Sequence, residues 1–352
     1  MMKAQVFRGV NQLSYEDVPV PTLDADEVLV EVEVVGLGRE DLDRIRYPIY
    51  SPPRIFGHQI AGTISEVGDL VEDFSIGQRV SVMPHVPCFR CTYCLSDQFS
   101  LCKTYQEIAT TSGFIPSGGG FAQYVKVPGH MVRNGGLVEV PERVSLERAS
   151  FLYPVNCCLK AIEKAQIRAG QIVLVTGAGP RGLLSIVLLR YVGARAVVVD
   201  CHPHRLEKAL QVGAEAAFLA SDRDLHTKVN YLASGLGVHA SLLSIANELA
   251  YSQALDCTRK GGKILVFSEF SDYNITINPN LLYRREIDLL GSHGADFKLQ
   301  SHAIDVLFQG RIDVEQLISD RYPLQDLPKA VDRVTKAELD TFKILLYPQN
   351  LR

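Results

Sequence analysis

Cys88, Cys91, Cys94 and Cys102 stand within PCFRCTYCLSDQFSLC at the spacing C-x2-C-x2-C-x7-C. Four thiolates on so short a loop can wrap one tetrahedral Zn²⁺. A site closed by four sulfurs keeps no open position for a substrate, so such a metal would be structural. An iron–sulfur cluster or four unrelated thiols are the alternatives. Disulfides are disfavoured in a chain read as cytoplasmic. Cys157, Cys158, Cys201 and Cys257 show no ligand spacing and read as core or near-core residues.

A second chemistry-bearing stretch is QIVLVTGAGPRGLLSIVLLRYVGARAVVVD, residues 171–200. Ile172–Thr176 is an unbroken apolar and β-branched run, as expected of a parallel strand buried on both faces. Gly177, Gly179 and Gly182 follow at G-x-G-x-x-G. The first permits the tight turn, the second lets a pyrophosphate approach the backbone, and the third lets helix and strand pack closely. A crossover helix over 183–191 would aim its N-terminal N–H groups, with Pro180 and Arg181 beside them, at phosphate. Asp200 ends the next strand, eighteen residues after Gly182. A carboxylate there accepts from both ribose hydroxyls and repels a 2′-phosphate, so NAD(H) is expected over NADP(H). His202, His204 and Arg205 are placed to reach the adenosine side. The bland alternatives are a βαβ turn without nucleotide and a polar helix start.

Composition frames these features. At 352 residues the chain is too long for one ordinary core, and two domains are expected. With 47% hydrophobic and 22% charged residues it reads as globular, with apolar material for both cores. A net charge of −4 and a pI near 6.2 argue against a nucleic-acid partner. No apolar run is long enough to span a membrane, and the N-terminus lacks a signal-peptide pattern. A cytoplasmic protein acting on a small molecule is expected.

The elements that would position the chemistry begin with strands at 3–7, 13–17 and 28–35. The last, VLVEVEVV, alternates apolar and polar and predicts one wet face. Short strands at 62–67 and 79–83 between Gly and Asp turns suggest a β-rich, barrel-like domain. Helical patterns follow at 146–167, 205–212, 302–309 and 327–335, with strands at 263–268, 287–291 and 343–347.

The order of GHQIAGTISEVG (57–68), GQRV (77–80), the four-cysteine lobe, GGFAQYVKVP (119–128), VTGAGPRG (175–182), RKGGKILVF (259–267), YRREIDLLGSHG (283–294) and FKILLYP (342–348) resembles the zinc-type medium-chain dehydrogenase/reductase superfamily, in its sorbitol and threonine dehydrogenase branch. The resemblance implies an α/β protein: a GroES-like β-rich catalytic domain over 1–150 and 298–352, carrying the zinc lobe at 86–104, with a Rossmann domain inserted over 151–297. It also implies a homodimer or homotetramer, one structural Zn²⁺ and an NAD(H)-dependent oxidoreductase.

Typical members hold a second, catalytic zinc through a cysteine in G-x-C-G-[ST]-D-x-H, a GHE motif and a later acid or cysteine. Here Gly38 replaces the cysteine, Glu40 the Ser or Thr that touches the substrate oxygen, and Asp43 the proton-relaying histidine. His58 remains, Gln59 replaces the glutamate, and Tyr153 stands where relatives carry the glutamate of E-P-L. An open catalytic site needs three protein ligands, so no catalytic zinc is expected, unless Glu40, Asp43 and His58 rebuild one. Acid–base work would then fall to Glu40 with its pKa raised by partial burial, to His58 held by Asp41, or to Tyr153 as a hydroxyl donor. The plain alternatives are a solvated Glu40 paired with Arg39, a structural His58 and a packing Tyr153. The resemblance further places Arg39 at the cofactor pyrophosphate and Asn156 at the nicotinamide.

Three functions follow. The first is interconversion of a secondary alcohol and ketone on a polar polyol-, cyclitol- or sugar-like substrate without catalytic zinc. The others are reduction of an activated C=C or iminium bond, and a catalytically silent nucleotide-binding protein.

Overall fold

The computed structural model describes residues 1–107, 109–245, 247–268, 274–336 and 341–349. The chain forms two compact units. One comprises Met1–Tyr153, Asp296–Gly310 and Ile318–Arg352, and the other Pro154–Ala295 with Arg311–Leu317. The first unit is therefore built from both chain ends, and the second is inserted between them. The fold is a GroES-like β-rich domain with a Rossmann-type nucleotide domain.

In the first unit, Val28–Gly36 is the central strand of a seven-stranded sheet. It pairs antiparallel with Gln59–Val67, Tyr124–Val127 and Lys343–Tyr347. The expected wet face shrinks to Glu31 and Glu33, which alternate with fully buried valines. Leu29 and Val35 are buried too, because the strand has partners on both edges and lies inside the apolar cluster of Val28, Val30, Val32 and Val35 with Ile60, Val80 and Ile344. Each full burial of such a side chain is worth about 1.5–3 kcal/mol. At the end of this strand the chain turns into the helix Arg39–Arg46, which presents Glu40 and Asp41 in its first turn.

The second unit is a six-stranded parallel sheet centred on Ile172–Thr176, all five residues of which are buried. Arg195–Asp200 and then Ala216–Leu219 lie to one side. Val238–Leu243, Thr258–Val266 and Asp288–Gly291 lie to the other. In order of sequence this is 3-2-1-4-5-6, the doubly wound arrangement whose ligand crevice opens where the order reverses. The crossover helix runs Pro180–Tyr191, three residues longer at its start than the pattern 183–191 predicts. Proline is suited to the first helical turn, where its missing N–H costs nothing, so the helix begins at Pro180 with Gly179 as its N-cap. The helical stretch 146–167 is two helices, Leu146–Ala149 and Leu152–Lys164.

Candidate functional site

In the first unit the residues around His58 form a buried polar chain. Asp41 is fully buried, and each of its oxygens is occupied. Oδ2 accepts the Gly38 N–H at 3.0 Å, Oδ1 accepts the Gly57 N–H at 3.1 Å, and Oδ1 also lies 3.0 Å from His58 Nδ1. Burial opposes ionisation of Asp41, but the His58 charge and these donors outweigh it and hold the carboxyl below its usual range. An ionised Asp41 fixes the tautomer with Nδ1–H toward it and leaves Nε2 for chemistry.

His58 Nε2 lies 3.7 Å from Glu40 Oε2, and Glu40 Oε1 is paired with Arg44 Nη2. Tyr153 meets the His58 ring edge-on at 5.6 Å. Glu40, His58 and Tyr153 are thus brought together in this unit. One expectation is corrected. The Glu40 carboxyl is not raised toward neutrality: burial pushes it up, but His58 and Arg44 pull it lower overall. Burial likewise disfavours a charged His58, while Asp41 and Glu40 more than compensate and raise it above the ordinary value of 6.5. Of the two groups, the imidazole is the one held above its ordinary value and the carboxyl the one held below it.

Asp43 is elsewhere. Both its oxygens face the exposed Arg39 Nε at 3.0 Å, so the plain alternative of a Glu40 paired with Arg39 does not hold. Among the described residues, His58 Nε2 and Glu40 Oε2 do not form part of any group of three or more convergent ligand atoms. A Cβ at Gly38, where relatives carry a cysteine, would sit 2.9 Å from Gln59 Nε2 and 3.0 Å from His58 Cε1. Two residues of this cluster escaped the sequence reading. Arg44 is one. The other is Lys343, whose Nζ is buried behind Gly36, donating to Gln59 Oε1 and, at 3.2 Å, to the Leu37 carbonyl. Burial drives this amine down to about 7 against the pull of Asp41. The loss of the glutamate at position 59 was the available signal, since it takes the counter-ion from any cation packed there.

The cysteine lobe of the same unit brings Cys88, Cys91, Cys94 and Cys102 together, with ligand atoms within 4.8 Å of one another. Among the described residues this is the only such group of three or more. The Cys91–Cys94 and Cys88–Cys94 sulfur separations are 3.6 and 4.0 Å, matching the roughly 3.8 Å edge of a tetrahedron with Zn–S bonds of about 2.3 Å. Phe89 is left-handed, with φ 59. Backbone N–H groups of Arg90 and Cys91 lower the Cys88 thiol to about 6, which favours the thiolate form that binds a metal. Phe89 packs on Phe99 and Phe297 at 6.0 and 5.1 Å and backs the loop. The four residues fit a structural zinc.

In the second unit the glycine turn fits a dinucleotide. Gly177 has φ 88, and a Cβ on Gly182 would fall 1.9 Å from the Gly177 carbonyl oxygen. A Cβ on Gly179 would meet nothing within 4 Å, leaving its backbone open. The helix Pro180–Tyr191 has no side-chain cap, so its first N–H groups are available to phosphate. Asp200 Oδ2 accepts the Ala178 N–H at 2.7 Å and Oδ1 the His202 N–H at 2.9 Å. These bonds aim the carboxylate and leave lone pairs for ribose hydroxyls. Thr176 Oγ1 and Ser244 Oγ, at the ends of the two strands flanking the switch point, are buried without partners. So are Arg205 Nε and His204 Nε2. Arg181 instead donates to the Phe267 carbonyl and lies over that ring at 5.0 Å. Asn156 is fully buried on Leu152–Lys164.

Residues 24–141 match the family model of the alcohol dehydrogenase GroES-like domain, and 180–309 that of the zinc-binding dehydrogenases. The chain is 30% identical to the sorbitol dehydrogenase of Bacillus subtilis strain 168, covering 99% of this chain and 97% of that one. A Sinorhizobium meliloti 1021 structure bound to NADP superposes with TM-score 0.87 at 26% identity, covering 99% of each chain. An Escherichia coli CFT073 alcohol dehydrogenase solved with NADH does so with TM-score 0.87 at 26% identity, covering 98% of this chain and 99% of its own.

Proposed function

Since the chain belongs to the zinc-type medium-chain dehydrogenase/reductase family, we propose that it interconverts a secondary alcohol and a ketone on a polar, polyol-like substrate, using NAD(H) and no catalytic zinc. The carrying observation is the His58 imidazole held by Asp41 at 3.0 Å with Glu40 at 3.7 Å on its other nitrogen. A single histidine and one carboxylate fall short of the three ligands an open zinc site needs. The same pair makes a competent proton relay. Sorbitol oxidation by the Bacillus subtilis relative supports a polyol.

Bound NAD(H) would accept or supply the hydride. The residues of this chain handle the proton. In oxidation, neutral His58 takes the hydroxyl proton at Nε2 and Asp41 stabilises the imidazolium that results. In reduction, protonated His58 gives that proton to the developing alkoxide. Tyr153, packed edge-on against the ring, keeps the imidazole plane fixed.

The deciding measurement is zinc per chain on protein purified without chelator. About one zinc is expected, from the four-cysteine lobe alone. About two would mean that carboxylates around His58 have rebuilt a catalytic site, and the proposal falls.

NAD(H) preference rests on Asp200, buried and aimed by two backbone donors. Asp200→Asn should weaken NADH binding about tenfold, the loss of one charge-assisted hydrogen bond, and narrow the margin over NADPH. Titration of the intrinsic NADH fluorescence checks this, and an unchanged Kd removes Asp200 from cofactor selection. The exposed edge strand Asp288–Gly291, with Leu289 at 38% exposure, supports a homo-oligomer in which a second copy continues the sheet.

A further inference from the structure

Arg44 has no part in the chemistry above. It lies one helical turn after Glu40 on Arg39–Arg46, so the two side chains share a face. Unlike a surface pair, this one has a largely enclosed cation: the Arg44 side chain is 12% exposed and that of Glu40 33%. Arg44 Nη1 donates to the Ser117 carbonyl at 3.3 Å. Its guanidinium lies over the Tyr50 ring at 5.3 Å and the Phe56 ring at 6.0 Å. These anchors come from outside the helix and hold the fork whatever Glu40 does. Glu40, by contrast, has one oxygen on Arg44 and the other turned to His58 Nε2. A glutamate on the first turn of a short helix would otherwise spread over several rotamers.

We propose that Arg44 is a positioning residue, whose anchored guanidinium grips one Glu40 oxygen so that the other faces His58. This rests on the reading of His58 as the proton-handling group and adds what aims the carboxylate beside it. The charged and titratable groups surrounding the pair are Asp41, His58, His85, Tyr50 and Tyr153.

Two effects of Arg44 on His58 have opposite signs and therefore separate. As a bare cation it disfavours imidazolium, and removing it would move the His58 titration to higher pH. As the anchor of Glu40 it keeps an anion at the ring, and removing it frees that anion and moves the titration to lower pH. Histidine-selective ¹⁵N labelling of the full chain reads this without any substrate. His58 in Arg44→Met and in Glu40→Gln should both titrate at lower pH than wild type. The double variant should shift no further than Glu40→Gln, because the two residues act as one unit. An unmoved or raised titration in Arg44→Met overturns the proposal. Should Arg44→Met fail to fold, Arg44→Lys carries the test, since lysine lacks the planar fork and its stacking. It should shift in the same direction by less, and an unmoved or raised titration there overturns the proposal equally. The reading beneath is tested apart: a fully active His58→Asn would remove it while leaving the titration result standing.

Discussion

Replacing His58 with asparagine is expected to lower kcat about a thousandfold, inside the range for a lost general acid–base of about 10²–10⁴. NADH affinity should stay near wild type, because the glycine turn and Asp200 belong to the other unit. The wild-type pH dependence has a definite sign. His58 titrates above 6.5, since Asp41 and Glu40 outweigh its burial. Alcohol oxidation needs the neutral ring, so kcat/KM for oxidation rises with pH through that raised value. Ketone reduction needs the charged ring and falls through it. In His58→Asn both limbs should vanish. Glu40→Gln should cost less, about tenfold at the scale of one lost charge interaction, and should move the oxidation limb to lower pH because an anion beside the ring is gone. Steady-state profiles in both directions check these outcomes. A variant at position 58 with undiminished kcat and an intact limb would take the imidazole out of the mechanism.

The parts of this arrangement that were legible in sequence are those carried by local pattern. The cysteine spacing was legible because closing a loop of only eleven intervening residues, with Phe89 in a left-handed turn, costs little entropy against four metal–sulfur bonds. The glycine turn was legible because steric need is absolute there: a methyl on Gly182 would collide with the Gly177 carbonyl. Asp41 as the holder of His58 followed from resemblance, and the 3.0 Å contact agrees with it.

What escaped was set by tertiary contact. Partial burial alone would raise the Glu40 carboxyl, but the sign depends on its neighbours. Arg44 lies four residues away on the same helix and His58 comes from a separate segment. Neither charge balance nor geometry is written in the segment GLGREDLD. The strand Val28–Gly36 misled for the same reason: its glutamates promise a wet face, and its partners on both edges bury most of it.

Lys343 is the furthest from anything the sequence announces, and it yields the second large effect. The strand Lys343–Tyr347 reads as ordinary, with a lysine at its start. In the fold that lysine is 4% exposed, caged by Gly36, Gln59, the Leu37 carbonyl and the Phe151 ring at 5.7 Å. A Cβ at position 36 would fall 2.4 Å from Nζ, so any larger residue there displaces the amine from its cage. With an amide rather than a carboxylate at position 59, nothing adjacent compensates the charge fully, and burial drives the amine from 10.5 to about 7. Between pH 7 and 10.5 the unfolded chain therefore binds a proton that the folded chain does not. Stability rises with pH across that window, by about 1.4 kcal/mol per unit. Below pH 7 both states are protonated and this contribution is flat.

Lys343→Met fills much of the same volume with no titratable group. Relative to wild type it should be nearly neutral at pH 6.5, where relief of the buried charge offsets the lost hydrogen bonds to Gln59 and Leu37. By pH 9.5 it should be destabilised by roughly 3 kcal/mol, the slope of about 1.4 kcal/mol per unit acting over the interval above 7. Urea denaturation of both proteins at half-unit steps gives the difference, in which the titration of every other group cancels. Parallel curves would mean that Lys343 stays charged in the fold. Gln59→Glu should flatten the curve in the same way by another route, because a carboxylate at the amine raises its proton affinity and keeps the lysine charged in both states.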